Sequence, residues 1–343
     1  MDYVKLGMQF LKSAEKTCKM LLSSNAYDFA GKVVLITGGS RGLGLVLARQ
    51  FVAQKARVAL LARDEAELER AGDELRAAGA EVLTQVCDVA HQEQVNSAVA
   101  ATVKRFGRLD VLVNDAGVIQ VGPLQHMQID DFRDAMGVHF WGPLHTMLAA
   151  LPHLRASGGG RIVNIASIGG KVTVPQLAPY CASKFALVGL SSALRTELRS
   201  DNILVTTVCP WLMRTGSHFN ALFKGQHKTT FTEFAIVDAL PGFSMDAESA
   251  ARQILRACER GQAELIIAPQ AWLLSKLNAL MPETFSAALV LANQIMPGPI
   301  GPEGDATHTG WDSQTRLAPS LLTRLADRAT VRNNELKGHA PPV

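Results

Sequence analysis

Three side chains near the middle of the chain have groups suited to proton transfer. Tyr180-Cys181-Ala182-Ser183-Lys184 opens a segment of helical pattern that runs to about Arg199. Four-residue spacing places Tyr180 and Lys184 one turn apart on one helix face. A free phenol titrates near about 10 and exchanges protons poorly at neutral pH. A neighbouring ammonium favours the phenolate and lowers that value. Ser167 ends the apolar run Arg161–Ser167 and offers a hydroxyl to a substrate oxygen. Phenol, ammonium and hydroxyl together suit a reaction in which a proton reaches or leaves a carbonyl or alcohol oxygen while hydride moves at carbon. A tyrosine and a lysine at this spacing, taken alone, are more often a surface pair.

A second motif changes that balance. Thr37-Gly38-Gly39-Ser40-Arg41-Gly42-Leu43-Gly44 follows an apolar run and opens a helical pattern. Gly38, Gly42 and Gly44 allow a tight turn and close approach to a pyrophosphate, and the helix start supplies free N–H groups and a positive dipole end. Ser40, Arg41 and Leu43 share that loop. An NAD-selective site would place Asp or Glu about 20 residues further on, at the ribose 2′-hydroxyl. Here Ala62-Arg63 stands there, and Arg63 with Arg41 suits a 2′-phosphate, so the expected cofactor is NADP(H). Asp64 reads as the cap of the next helix, Asp64-Glu65-Ala66-Glu67.

These residues need a scaffold that delivers strand ends and helix starts to one edge. Seven β-branched runs recur at 33–38, 57–62, 80–88, 109–114, 161–167, 203–210 and 264–269, with helix-like segments between most of them. Continuous apolar strands alternating with helices predict an α/β fold, a doubly wound, Rossmann-type parallel sheet of about seven strands with helices on both faces. Ligands then bind at the carboxyl edge, where Ser167 and the glycine loop both fall.

The 343 residues, 48% hydrophobic and 19% charged, suffice for a large core and argue against bulk disorder. A net charge of +3 with scattered lysines and arginines gives no basic stripe for nucleic acid. Five widely spaced cysteines without a CxxC (Cys18, Cys87, Cys181, Cys209 and Cys258) indicate neither a disulfide framework nor a zinc site and fit a reducing cytoplasm. No metal is expected, no secretory signal is read, and no run reaches the length of a membrane span.

Taken together, TGGSRGLG (37–44), Asp88, NDAG (114–117), Ser167, YCASK (180–184) and PWLMRT (210–215) resemble the short-chain dehydrogenase/reductase family over roughly residues 30–270. The resemblance implies that Asp88 meets the adenine and that Asn114, Ala116 and Gly117 line the cofactor. Lys184 would also bind the nicotinamide ribose, and Thr215 the carboxamide side. Val89, Pro210 and Tyr180 complete the implied cofactor set. It also implies a homodimer or homotetramer. Three positions depart from the family pattern: His139 stands where an Asn of the proton relay is usual, Asp115 makes NDAG of NNAG, and Trp211 replaces a Gly after Pro210. His139 is either a relay group or a satisfied helix histidine.

Three segments lie outside the repeat. Residues 1–30 read as a basic amphipathic extension with a stripe of Val4, Met8, Leu11, Cys18 and Leu22, suited to packing on its own domain, a partner or a membrane surface. Residues 31–270 form the catalytic domain, whose aromatic-rich, irregular insert 210–245 reads as a greasy lid, a packed loop, or both. Residues 271–343 read as a helical extension that could cover the cleft, serve an oligomer or touch a membrane, followed by a loosely organised polar tail with a helix near 317–329. The reading favoured is an NADPH-dependent reductase of a lipophilic carbonyl compound, or the reverse alcohol dehydrogenase. The alternative is a catalytically weak NADPH-binding sensor or scaffold, which only His139 supports.

Overall fold

The protein is described by a computed structural model covering residues 26–342, so the expected N-terminal stripe lies outside the described residues. Seven strands form one parallel sheet: β1 (Val33–Thr37), β2 (Arg57–Ala62), β3 (Val82–Val86), β4 (Val111–Asn114), β5 (Gly160–Ile165), β6 (Ile203–Pro210) and β7 (Glu264–Ile267). Their order is β7-β6-β5-β4-β1-β2-β3. β1 lies inside the sheet, with Ile36 paired to Leu60 on one side and to Val113 on the other. Alternate residues of β1 feed two cores, which explains its unbroken apolar run. Val34 and Ile36 face one core with Leu45, Leu47 and Ile254; Val33 and Leu35 face the other with Val95, Val99 and Met147.

Helices α1 (Gly42–Ala53), α2 (Glu65–Ala77), α3 (Gln92–Phe106), α4 (Ile129–Met136), α5 (Gly142–Ala156), α6 (Ala178–Glu197) and α8 (Ala247–Arg260) cover the two faces. α2 begins at Asp64, whose carboxylate accepts from the Glu67 N–H at 2.8 Å, the cap read from the sequence. The chain runs outward from β1 through β2 to β3, then crosses to β4 on the other side of β1. That reversal opens a crevice between the ends of β1 and β4, the place where such sheets bind ligands.

Of the two readings of the insert, packing accounts for its buried phenylalanines, and the tail is more ordered than its composition predicts. The insert carries a helix, α7 (His227–Ala239), and its Phe219, Phe223 and Phe231 are fully buried with Ala318 of the tail. Phe219 stacks on Trp311 at 4.3 Å. Three two-residue strands, Gln120–Val121, Leu222–Phe223 and His308–Thr309, tie insert and tail to the loop after β4. Buried His218 lies 3.6 Å from Asp238 and 3.7 Å from Asp327, bridging α7 to the tail helix α11 (Arg324–Arg332). The last forty residues are thus a packed structural segment through Glu335, not a loose tail. Between them and β7, helices α9 (Pro269–Leu280) and α10 (Pro282–Gln294) form a hairpin, and α10 buries none of its residues. Among the described residues no helix is long and apolar enough to cross a membrane, and no cluster of three metal-ligating side chains occurs.

Candidate active site

A single cleft of about 560 Å³ runs from the ends of β1 and β2 to the ends of β5 and β6. At one end lies the glycine loop. Gly38 has φ of +71°, and a Cβ there would meet the Ala116 backbone at 2.9 Å, so only glycine lets the two loops close on each other. Thr37 Oγ1 accepts from the Asp115 and Ala116 N–H groups at 3.1 and 3.2 Å, locking that junction.

At the other end, Ser167 follows β5 and Tyr180 stands on the first turn of α6. Both side chains line the inner end of the cleft, and Ser167 Oγ accepts from the Gly169 N–H at 3.0 Å. Lys184, buried one turn on, donates from Nζ to the Ile165 carbonyl at 2.9 Å and sits 5.6 Å from the Tyr180 ring centre. Burial pushes the Tyr180 hydroxyl up to about 12, opposed by the neighbouring Ser167 hydroxyl. Burial also pulls Lys184 down to about 8, opposed by Asp115. The lysine was expected to lower the phenol. In this structure its ammonium points to a backbone carbonyl and Ser167 is the group that acts downward on Tyr180.

His139 sits in a short π-helical turn, Gly137–Trp141, and packs edge-on to Tyr180 with ring centres 5.4 Å apart. Its Nε2 accepts from the Val118 N–H at 3.1 Å. The proton therefore lies on Nδ1, which donates to Ser183 Oγ at 2.8 Å, while the Ser183 hydroxyl donates to the Tyr180 carbonyl at 2.9 Å. Burial, aided by Lys184, holds this imidazole well below its usual range. It is a neutral ring with both nitrogens engaged.

Asp115, the unusual member of NDAG, is half-buried in the wall of the cleft. Burial raises its carboxyl to about 8, with Lys184 and the Gly44 N–H acting against the rise.

Of the residues read from the sequence, Gly38, Ser40, Arg41, Gly42, Leu43, Arg63, Asp88, Val89, Ala116, Gly117, His139, Ser167, Tyr180, Lys184, Pro210 and Thr215 line the cleft. Gly44 and Asn114 stand behind its wall. Asn114 donates to Asn164 at 2.8 Å and accepts from Thr146 at 2.6 Å, which ties β4 to β5 and α5. Arg41 is not a free cation: its Nη1 lies 2.9 and 3.1 Å from the two Glu67 carboxylate oxygens, and its Nε lies 3.3 Å from Glu335.

Sequence reasoning missed Glu67, Asn220, Glu335 and Lys337, all of which line the cleft. Glu67 is visible as the third residue of its helix, but nothing local marks Glu335, whose partners are 115 residues away and more. Of the insert's apolar residues, Trp211, Met213 and Leu222 face the cleft, whereas the buried phenylalanines do not.

Comparison with known proteins places these observations in context. The short chain dehydrogenase family matches residues 32–222. A dehydrogenase/reductase SDR family protein 7-like of Anopheles gambiae is 34% identical over 72% of this chain and 78% of its own. The 11-beta-hydroxysteroid dehydrogenase A of Sesamum indicum is 34% identical over 71% of this chain and 70% of its own. Among solved structures, the L-sorbose reductase of Gluconobacter frateurii, complexed with NADPH and L-sorbose, superimposes with a TM-score of 0.63 at 26% identity, over 70% of this chain and 97% of that one.

Proposed function

The chain belongs to the short-chain dehydrogenase family, and on that premise we propose that it transfers hydride between NADP(H) and the carbonyl or alcohol carbon of a small, predominantly apolar molecule. The observation that carries this reading is the meeting of Ser167, Tyr180 and Lys184 at the inner end of a cleft whose outer end is a glycine loop at a helix start. The residues fit a dinucleotide: the Gly38 turn leaves no room for a side chain, and the cleft is continuous from Arg63 to Tyr180. The bound nicotinamide would supply or accept the hydride.

The chain's own residues supply the rest. Ser167 Oγ and Tyr180 Oη hold the reacting oxygen from the side of β5, and Tyr180, neutral and half-buried, is the proton donor during reduction. Lys184 lends positive charge behind it. His139 acts as a positioning residue: through Ser183 it holds the Tyr180 backbone carbonyl, and through Val118 the loop after β4. Trp211, Met213 and Leu222 make the substrate end apolar.

Preference for the phosphorylated cofactor is supported by Arg63 at the rim, by the capping role that occupies Asp64, and by the NADPH named for the sorbose reductase. A cytoplasmic location and self-association of copies belong to the same proposal. Leu148 on α5 and Phe185 on α6 are exposed apolar residues suited to such an interface.

The test is oxidation of NADPH and NADH, in parallel, with a panel of apolar ketones and aldehydes. Carbonyl-dependent turnover is expected to prefer NADPH. Tyr180→Phe is expected to lower turnover by about 10²–10⁴-fold, the usual contribution of a positioned acid, with NADPH binding retained. Undiminished turnover in Tyr180→Phe would overturn the assignment.

A further inference from the structure

The glycine-loop end of the cleft is walled by a segment that follows α11. The Gly42 N–H donates to the Asn333 carbonyl at 2.9 Å, and Asn334 Nδ2 donates to the carbonyls of Ser40 and Glu67 at 2.8 and 3.0 Å. Next comes Glu335, buried. Its carboxylate accepts from Asn220 Nδ2 at 2.6 Å and lies 3.3 Å from Arg41 Nε. A Cβ built on Gly42 would meet Glu335 Oε1 at 2.6 Å, so the carboxylate lies against the first turn of α1. The positive dipole end of that helix favours an anion, and a carboxylate of the protein itself stands beside it.

The consequence concerns Arg41, which the loop sequence offers to a 2′-phosphate. Glu67 holds its Nη1 and Glu335 its Nε, so two buried carboxylates neutralise one guanidinium. A phosphate arriving at Arg41 meets both negative charges as well as the cation, and like charges at such separations repel strongly in a partly dehydrated cleft. Arg63 and Lys337, which line the same end, are the remaining cations.

We propose that Glu335 is a cofactor-specificity residue: by holding Arg41 jointly with Glu67, it withholds that guanidinium from a 2′-phosphate and narrows the preference for NADP(H) over NAD(H). The C-terminal segment is then a wall of the cofactor site, and discrimination rests on Arg63 and Lys337. This rests on the dinucleotide reading of the cleft.

The experiment is equilibrium binding of NADPH, NADH, 2′,5′-ADP and 5′-AMP to the full chain and to Glu335→Gln, followed by calorimetry. Glutamine keeps the volume and can still accept from Asn220. The variant is expected to raise the affinity ratio of 2′,5′-ADP to 5′-AMP, and of NADPH to NADH, by about tenfold, as removal of one nearby unit charge implies. An unchanged or lower ratio overturns the proposal. Glu335→Ala, checked for folding by circular dichroism and melting, gives the same reading should the glutamine variant not fold. Failure of the unmodified chain to bind either dinucleotide would instead overturn the reading of the cleft, so the two failures are distinct.

Discussion

Replacing Arg41 by leucine removes the cation from between two carboxylates whose side chains are each 3% exposed, Glu67 and Glu335. Taking away one partner of a buried ion pair costs about 3–5 kcal/mol, because a desolvated charge is left without its counter-charge. The Arg41 side chain is itself 24% exposed. Water therefore reaches part of the cluster, which favours the low end of that range, about 3 kcal/mol. At about 2–4 °C per kcal/mol for a large domain, the melting temperature at pH 7 should fall by about 6–12 °C. The loss is pH-dependent with a definite sign. Burial already holds Glu335 above the ordinary carboxylate range, with Arg41 acting against the rise. Without Arg41 the folded-state value climbs further, so the penalty is complete only above that raised value and fades as pH falls through it toward the ordinary carboxylate range. Scanning calorimetry of the unmodified chain and Arg41→Leu at pH 7 and pH 5 reads both features. A melting temperature within about 1 °C of the unmodified chain at pH 7 would refute the view that Arg41 fastens the tail to the glycine loop.

Two further perturbations probe the same architecture. Gly216 has φ of +92°, and a Cβ there would run into the Thr330 backbone of α11. Gly216→Ala should therefore cost at least about 1–3 kcal/mol and make the chain beyond α10 the first site of proteolytic cleavage; an unchanged denaturation midpoint would count against the seat described for α11. Lys184 is pulled down by burial to about 8, so its ammonium is present below that pH and lost as pH rises through it, well before a free lysine would titrate. Carbonyl reduction at saturating cofactor should decline with that loss. Because Asp115 acts to raise Lys184, Asp115→Asn should move the declining limb to lower pH; a rate level to pH 10 in both proteins would contradict the placement of Lys184 behind Tyr180.

The parts that could be read from the sequence are those whose physics is local. Val33–Thr37 is apolar without alternation because both faces of β1 are covered, and that pattern alone predicts a parallel strand. Tyr180 and Lys184 announce their juxtaposition through helical spacing, and Asp64 announces a helix start through its position ahead of Glu65 and Glu67. The parts that stayed hidden depend on distant partners. Phe219, Phe223 and Phe231 read equally as lid or as packing residues because their partner Ala318 belongs to a segment whose polar composition conceals a buried seam of small side chains, Ala326, Ala329 and Thr330 among them. α7, with Thr229, Thr230 and Thr232 in its first two turns, carries weak helical propensity and is held by tertiary packing of Phe231 and Ala235. Arg41 belongs to the glycine loop by sequence, yet its charge is balanced by Glu335, which no spacing rule connects to it.

That contrast bears on how a scaffold of this kind acquires its particular chemistry. The proton-handling group is fixed by short-range geometry: Ser167 ends a strand, Tyr180 and Lys184 share one helix face, and His139 braces the turn between them through Ser183. Those constraints leave little freedom, since a shift of one residue in α6 would separate the phenol from Ser167. The cofactor end is different. Its glycine turn is equally constrained at Gly38, but the charge surrounding it comes from three separate places in the chain: Arg41 in the loop, Glu67 on α2 and Glu335 after α11. Charges supplied from separate segments can be altered one at a time without disturbing the turn that receives a phosphate. Substitutions at Glu335 or Lys337 would therefore change which dinucleotide is held while leaving the Ser167–Tyr180 pair intact, and substitutions at His139 or Ser183 would do the reverse.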